Sequence, residues 1–344
     1  MLSADALAPE SRRPAFAIPA ALEARQPAEE RGSGRDDVRL LVTKAGSRDT
    51  HASFRQLPDL LDAGDLIVLN QSATIPAALT ARRADESNVR LHLSTRLPAD
   101  LTVVEMRDAE VEPRERLRLA GGGMAEILTP YRDSRRLWVA RLYLPAPFLS
   151  YVSRFGEPIR YRHASGDWPL DTYQNVYASE PGSAEMPSAG RPFTQAVLQR
   201  LRERNVDIAF VTLHAGVSSP ERDEPPYEEW YSVPSETAHA IQRARRNRGR
   251  VIAVGTTVVR ALESSLDEHG RIIASRGWSD LVITPQLGVS AVDGIVTGFH
   301  EPTSSHLAML EAIAGPDAIA HAYATALKAG YLWHEFGDSH LIQA

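Results

Sequence analysis

Three short stretches place chemistry-bearing residues directly after runs that read as buried strands. In "TLHAGVSSP" His214 follows the apolar run "VDIAFVTL", and Gly216 two residues on lets the backbone bend close to a ligand. An imidazole there serves as a general base or donates a hydrogen bond to a developing charge. The alternative is a histidine satisfied by a neighbouring carbonyl, and the residue types alone do not separate the two. In "VGTTVVRALES" a strand gives way to Gly255, Thr256 and Thr257 at the start of a helix. Free N–H groups and two hydroxyls at such a start suit a carboxylate or phosphate, although an ordinary glycine turn with a threonine cap has the same sequence. In "VTGFHEPTSSHL" His300 follows a strand, and Ser304 and Ser305 cap the next helix, which a simple cap beside a surface histidine explains nearly as well.

Two further stretches are suited to contact. "PGSAEMPSAGRPFT", Pro181 to Thr194, is too rich in Gly, Ser and Pro for a helix or strand and reads as a loop that approaches something closely. "EEWYSVP" offers Glu228, Glu229, Trp230 and Tyr231, which either stack on a base and meet its polar edge or anchor a loop. The basic run "RARRNRGR", Arg243 to Arg250, is a solvated helix end favoured by the dipole or a phosphate patch. His163, His239, His269 and His321 lack metal-ligand spacing, so no metal is expected, and no nucleotide P-loop motif is present.

The elements that must hold these residues follow from periodicity. "VRLLV", "DLIVLN", "VDIAFVTLH", "RVIAVG", "WSDLVITP" and "VDGIVTGF" read as strands; "FTQAVLQRLRERN", "SETAHAIQRARRNRG", "TTVVRALESSLDEHG" and "SSHLAMLEAIAG" read as helices. Strands alternating with helices imply an α/β domain, a three-layer arrangement whose mostly parallel sheet is covered on both faces. From Ile75 to about Pro147 the texture changes to short alternating runs with turn signals about every ten residues, the pattern of a small antiparallel β-barrel or sandwich. The expected organisation is a disordered tail at 1–14, an α/β domain at 15–74 and 148–344, and an inserted β-barrel domain at 75–147.

Composition narrows the function classes. The 344 residues are 43% hydrophobic and 24% charged, as in an ordinary soluble protein. Net charge is -6, from 38 basic and 44 acidic residues, so there is no bulk attraction to a polyanion such as nucleic acid. The absence of cysteine removes disulfides, thiolate nucleophiles and thiolate zinc sites, and fits a cytoplasmic protein. No early apolar run is long enough for a signal peptide or membrane span, so no membrane partner is expected.

Taken in order, "YQNVYASEPGSAEMPSAGRPFT", "TLHAGV", "EEWYSVPSETAHAI", "RVIAVGTTVVRALES", "GWSDLVITP", "VDGIVTGFHEPTSSHLAMLEAIAG" and "FGDSHLI" resemble the S-adenosylmethionine:tRNA ribosyltransferase-isomerase family of queuosine biosynthesis. "FAIPAALEARQPAEERGS" and "LPDLLDAGDLIVLNQSATIPAAL" extend the likeness across nearly the whole chain except the inserted segment. The resemblance implies an α/β domain interrupted by a β-barrel. It also implies transfer and isomerisation of the ribosyl part of S-adenosylmethionine, the co-substrate, onto the aminomethyl group of a 7-deazaguanine base in tRNA. Adenine and methionine leave, and neither a metal nor a redox cofactor is needed. Carried onto this sequence, it makes His214 the candidate for proton transfer, with Glu229 and Tyr231 orienting a base or proton. Gly255, Thr256 and Thr257 would hold the methionine carboxylate or a ribose oxygen, with charge added by Arg260. Tyr173, Gln174 and Tyr177, with the loop carrying Gly182, Ser183, Gly190, Phe193 and Thr194, would line the purine and ribose beside Gly216 and His300.

The chain departs from the family pattern at polar positions. Gln71 stands for an acid, Ala73 and Ala78 for arginines, and Arg191 and Pro192 for Leu and His. Tyr227 and Glu228 replace His and Ser, Gly298 replaces Asn, and "HAGVSSP" replaces a Gly-Thr-Phe ending. A kept scaffold with altered polar groups suits a paralogue with a different acceptor. Three functions follow: the family reaction on tRNA, a related transferase or lyase with a small-molecule acceptor, and a silent nucleoside-binding protein.

Overall fold

The computed structural model describes residues 16–344 apart from 33, 45, 108, 133, 161–162, 218–225 and 303. The tail expected at 1–14 and the Ser218–Pro220 part of "HAGVSSP" therefore lie outside the described residues. In chain order come β1 (Arg39–Lys44), β2 (Thr50–Ser53), β3 (Leu66–Asn70) and β4 (Ser72–Thr74). Six strands follow: β5 (Ala78–Arg82), β6 (Asn88–Arg96), β7 (Leu101–Arg107), β8 (Arg116–Leu119), β9 (Met124–Pro130) and β10 (Leu137–Tyr143). The chain continues through α1 (Phe148–Phe155), β11 (Glu180–Ser183), α2 (Gln195–Glu203), β12 (Asp207–Leu213), β13 (Glu229–Val233) and α3 (Ser235–Arg246). It ends with β14 (Val251–Val254), α4 (Thr256–Glu263), β15 (Ser275–Ser279), β16 (Gly294–Gly298), α5 (Ser305–Ala314), α6 (Pro316–Ala329) and β17 (Ser339–Gln343).

Nine strands form one sheet in the order β15-β13-β12-β3-β14-β16-β17-β1-β2. Its centre, β12-β3-β14-β16, is parallel, and β17 pairs parallel with β1. The other pairings, β1 with β2, β12 with β13, β13 with β15 and β16 with β17, are antiparallel, so the sheet is mixed. The reason for the three-layer form is visible in β3, "LIVLN", which is buried on both faces. Leu66 and Val68 join the core under α3 to α6, whereas Ile67 and Leu69 join the core under α2 and the Phe54–Leu60 turn. Both faces of the sheet are thus covered, as the alternation of strands and helices implies.

The segment of short alternating runs closes into a six-stranded antiparallel barrel, β10-β7-β6-β5-β8-β9. Its interior is filled by Leu79, Leu91, Leu93, Val104, Leu117 and Ile127, and α1 adds Tyr151 and Val152 to that core. The barrel meets the sheet domain near the ends of β12 and β13. Ser94 Oγ of β6 accepts the Val217 N–H at 2.9 Å, and Tyr131 donates to Glu228 at 2.7 Å.

Element boundaries differ from the sequence reading in three places. The stretch Pro181–Thr194, read as loop throughout, begins in β11, whose Glu180, Pro181 and Ser183 pair parallel with Ser72, Ala73 and Thr74 of β4 in a separate two-stranded sheet. The expected strand "WSDLVITP" is instead β15, Ser275–Ser279, because β13 offers five residues for pairing and β15 matches all of them. The Leu281 carbonyl beyond it accepts from Arg260 Nε at 3.2 Å. "EEWYSVP" contains a strand, β13, inserted between β12 and β15. The basic run at Arg243 is partly paired: Arg243 bonds Asp207 at 2.9 Å, and Arg250 bonds Asp65 at 2.5 Å and Asp62 at 2.9 Å.

His340 is buried in this fold, and His214, His300 and His306 are largely enclosed. Burial holds His214 and His306 at a pKa of about 4 and His340 at about 3, and it lowers His300 well below the ordinary value. In the unfolded chain these groups titrate near 6.5, so between that pH and the folded pKa the unfolded state binds more protons. Stability from these groups is present above about pH 6.5 and falls as pH drops toward 4, by up to ~1.4 kcal/mol per pH unit for each. Urea unfolding at pH 7.5 and pH 5.5 is expected to give a clearly lower unfolding free energy at the acidic pH; equal stability at both would contradict this burial.

Candidate active site

β3 and β12 run parallel and end side by side, where ligands bind in open α/β sheets. The residue that fixes this corner is Asn70, the last of β3, which is 1% exposed. Its Oδ1 accepts the Leu213 N–H at 3.0 Å and the Ser72 N–H at 3.1 Å. Its Nδ2 donates to the Leu213 carbonyl at 2.9 Å and to Thr257 Oγ1 at 3.2 Å. Every hydrogen-bonding position of the carboxamide is used, so one side chain joins the end of β12, the start of β4 and the first turn of α4. Sequence reasoning passed over Asn70; the available signal was a polar residue closing a wholly apolar run, which must find partners when buried.

His214 leaves β12 at this corner. Its backbone N–H bonds the Trp230 carbonyl at 3.0 Å, and its ring stacks on the Trp230 indole with centroids 5.2 Å apart. Gly182 lies against the imidazole: a Cβ there would sit 2.5 Å from the ring, so a side chain at 182 would displace it. His214 Nδ1 is 2.8 Å from Ser72 Oγ, which is 2.6 Å from Ser183 Oγ, which accepts the Ala215 N–H at 2.9 Å. The ring's partner is thus a hydroxyl and not a carbonyl. Nε2 makes no hydrogen bond among the described residues and is not sealed from solvent. Burial makes the ring neutral at ordinary pH.

Glu229 and Tyr231 are both engaged in hydrogen bonds within the protein. On β13 they share one face and point toward α4, and Trp230 on the opposite face meets His214. Glu229 Oε1 accepts the Gly216 N–H at 2.9 Å, and its other oxygen pairs with Arg260. Arg260 is 5% exposed and also donates to the carbonyls of Tyr227 at 3.1 Å and Ser279 at 2.9 Å. The guanidinium thus ties β13, β15 and the turn after His214 together, and its charge is matched within the protein. The Tyr231 hydroxyl donates to the Ser264 carbonyl at 2.9 Å, at the C-terminal end of α4 and away from His214.

The Gly255 turn stands on the other side of Asn70. Gly255 has φ of +89°, a conformation that favours glycine, and its N–H bonds the Val296 carbonyl at 2.8 Å as α4 begins. Thr256 is buried, and its hydroxyl makes no hydrogen bond among the described residues. The Pro181–Thr194 loop approaches both places, with Gly182 and Ser183 at His214 and Ala189 beside Gly255. Gln174 holds Thr74 by both its amide groups, at 3.0 and 2.6 Å, and so braces β4 behind Ser72.

The other candidates have the following surroundings in this arrangement. Tyr173 packs on Phe336 at 5.7 Å, and Tyr177 packs edge-on against Phe193 at 6.1 Å, its hydroxyl pKa raised by burial. Gly190 closes a short turn by bonding the Pro187 carbonyl at 3.2 Å. Phe193 is fully buried against Phe54, and Thr194 caps α2 through the Val197 N–H at 3.2 Å while bonding Asp36 at 2.9 Å. His300 is enclosed with Thr297 at 2.8 Å and His306 at 3.3 Å. Arg191 bonds Glu29 at 3.1 Å and the Thr172 carbonyl at 3.0 Å, locking the loop to the N-terminal segment. A narrow cleft between this loop and the last turn is lined by Ala189, Arg191, Pro192, Gly298, His334 and Asp338. Among the described residues, no group of three or more His, Asp or Glu is arranged to hold a metal ion, and no helix is long and apolar enough to cross a membrane.

Comparison with known proteins gives one answer. A family model described as queuosine biosynthesis protein matches residues 13–342. An S-adenosylmethionine:tRNA ribosyltransferase-isomerase of Caldanaerobacter subterraneus is 35% identical over 343 residues, which cover 95% of this chain and 98% of that protein. The protein of the same name from Thermus thermophilus is 35% identical over 335 residues, covering 92% and 96%. A crystal structure of S-adenosylmethionine tRNA ribosyltransferase from Thermotoga maritima matches with a TM-score of 0.54 at 28% identity, covering 95% of this chain and 98% of that one. With the barrel inserted in the sheet domain and the ordered motifs gathered at the ends of β3, β12 and β14, the chain belongs to the queuosine biosynthesis family of ribosyltransferase-isomerases.

Proposed function

We propose that this chain is an S-adenosylmethionine-dependent ribosyltransferase-isomerase of the cytoplasm that modifies the aminomethyl-7-deazaguanine base of tRNA. The observation that supports this reading best is the meeting of three motifs at one corner: His214, Gly182 and Ser183 at the end of β11, and the Gly255–Thr257 turn, joined through Asn70 and Ser72. S-Adenosylmethionine is a substrate here. Its sulfonium acidifies the neighbouring C5′ protons, its purine must leave, and its carboxylate needs a donor-rich place to bind.

The first turn of α4 supplies the carboxylate site, with free N–H groups at the positive end of the helix dipole and the Thr256 hydroxyl beside them. Thr257 accepts from Asn70 and keeps its own proton for a ligand oxygen. The purine and ribose lie against the Pro181–Thr194 loop, with the His214 Nε2 edge facing them. Trp230 and Gly182 hold the imidazole from its two faces and limit its rotation. Glu229 and Arg260 act one step back by fixing Gly216, and Tyr231 by fixing β13 against α4.

Incubating the protein with S-adenosylmethionine and tRNA bearing the aminomethyl base is expected to yield adenine, methionine and modified tRNA by mass spectrometry. Turnover only with another acceptor would replace tRNA by a small molecule, and binding without turnover would leave a nucleoside-binding protein. His214→Ala is expected to lower kcat by on the order of 100-fold, as for loss of one donor at a developing charge. Thr256→Val is expected to weaken S-adenosylmethionine binding by about 5- to 30-fold with a smaller effect on kcat. Unchanged turnover and affinity in these two variants would contradict the assignment.

A further inference from the structure

The short chain of hydroxyls behind His214 has a direction, and the direction is set at its far end. Ala215 contributes a backbone N–H, which only donates, so Ser183 Oγ must accept at 2.9 Å. Ser183 is 0% exposed, and its remaining recorded side-chain partner is Ser72 Oγ at 2.6 Å. Three proton arrangements are open from there, because the Ser72 hydroxyl can accept two hydrogen bonds as well as donate one. In the first, Ser183 donates to Ser72, and Ser72 donates to His214 Nδ1 at 2.8 Å. Each proton of the chain then has an acceptor. In the second, His214 Nδ1–H donates to Ser72 and Ser72 donates to Ser183. The Ser183 proton would then have no recorded acceptor among the described residues, which costs about 1–3 kcal/mol for a buried donor. In the third, Ser183 and His214 Nδ1–H both donate to Ser72, and the proton of Ser72, itself 1% exposed, is the one without a recorded acceptor among the described residues, at a similar cost.

We infer that Ser183 and Ser72 form a one-way hydrogen-bond relay that holds His214 as the neutral Nε2–H tautomer, so that His214 offers the substrate a donor and not a base. Ser72 and Ser183 are positioning residues for this role. Their placement is redundant in the backbone: Asn70 bonds the Ser72 N–H, and Ala184 N–H bonds the Ala215 carbonyl at 2.7 Å. Burial favours the same neutral ring, and Nδ1 is occupied in either protonation state of the relay.

The chemical consequence rests on the proposed ribosyl transfer. A neutral imidazole does not give up its Nε2 proton readily, because that would leave an imidazolate. It stabilises charge by hydrogen bonding, as a neutral electrophilic histidine does when it polarises a carbonyl in other enzymes. Here the acceptor is a nitrogen of the departing purine, which leaves with the electron pair of its bond to the ribose and is protonated from solvent, to which the proton lost from C5′ is returned in balance. Removal of the C5′ proton falls to a different group. This changes the expectation that His214 transfers a proton.

The test is nitrogen-15 NMR of the full-length protein labelled at histidine, without substrate, with His214 assigned by its absence in His214→Gln. The expected pattern is a protonated Nε2 and an unprotonated Nδ1 at pH 7. Ser72→Ala should turn this into a tautomer mixture and reduce kcat by roughly tenfold with little change in KM. A protonated Nδ1 with a bare Nε2, or a doubly protonated ring, would overturn the inference in the unsubstituted protein, whatever the variants do. Because the signal is read without substrate, the correct tautomer in a protein that releases no adenine would sink the proposed reaction and leave the relay standing.

Discussion

The Asn70 carboxamide is the constraint on which the site depends. Four segments converge where β3, β12, β4 and α4 meet, and their backbone groups cannot all be satisfied by strand pairing. Two acceptor and two donor contacts from a single buried side chain solve this, and each is within 3.2 Å. Because the group is buried and fully used, it tolerates no rotation that leaves one polar atom unpaired. The end of β12, and hence His214, inherits that rigidity.

From this corner the arrangement spreads outward in layers of decreasing regularity. The relay of Ser72 and Ser183 lies immediately behind the imidazole, and Gly182 and Trp230 lie on its faces. Farther out, Arg260 and Glu229 fix the turn that follows His214, and the barrel supports the same turn through Ser94. The inserted barrel is therefore coupled to the site and is not a free appendage. Tyr227 and Glu228, two positions where the chain departs from its family's usual residues, lean on Tyr131 and Arg132 of the barrel. Arg191, another departure, is almost wholly engaged in holding the loop to Glu29 and Phe336.

Much of the framework was legible because its signals are strong and local. "DLIVLN" and "RVIAVG" are apolar throughout, which is what central strands require, and the barrel announced itself through short alternating runs with frequent turns. His214 and the Gly255 turn were legible from position alone, at the carboxyl ends of strands. "EEWYSVP" was not read as a strand; once it is one, alternation sends Trp230 to His214 and turns Glu229 and Tyr231 toward α4. Asn70 and Ser72 were harder, and Ser183 was named for its loop and not for its link to His214, because these contacts join residues 111 to 187 positions apart. No local pattern encodes such a meeting. Tyr173 and Phe193 belong to the same motifs and are buried among aromatic neighbours, which their sequence context did not reveal.

The central claim is that the corner built on Asn70 binds S-adenosylmethionine with His214 Nε2 donating to its purine. A crystal structure of the protein soaked with S-adenosylmethionine tests this directly. The account predicts a purine nitrogen within hydrogen-bonding distance of His214 Nε2 and the methionine carboxylate at the first turn of α4. S-Adenosylmethionine seated instead in the cleft lined by Arg191, Pro192 and Gly298, with His214 Nε2 untouched, would contradict it.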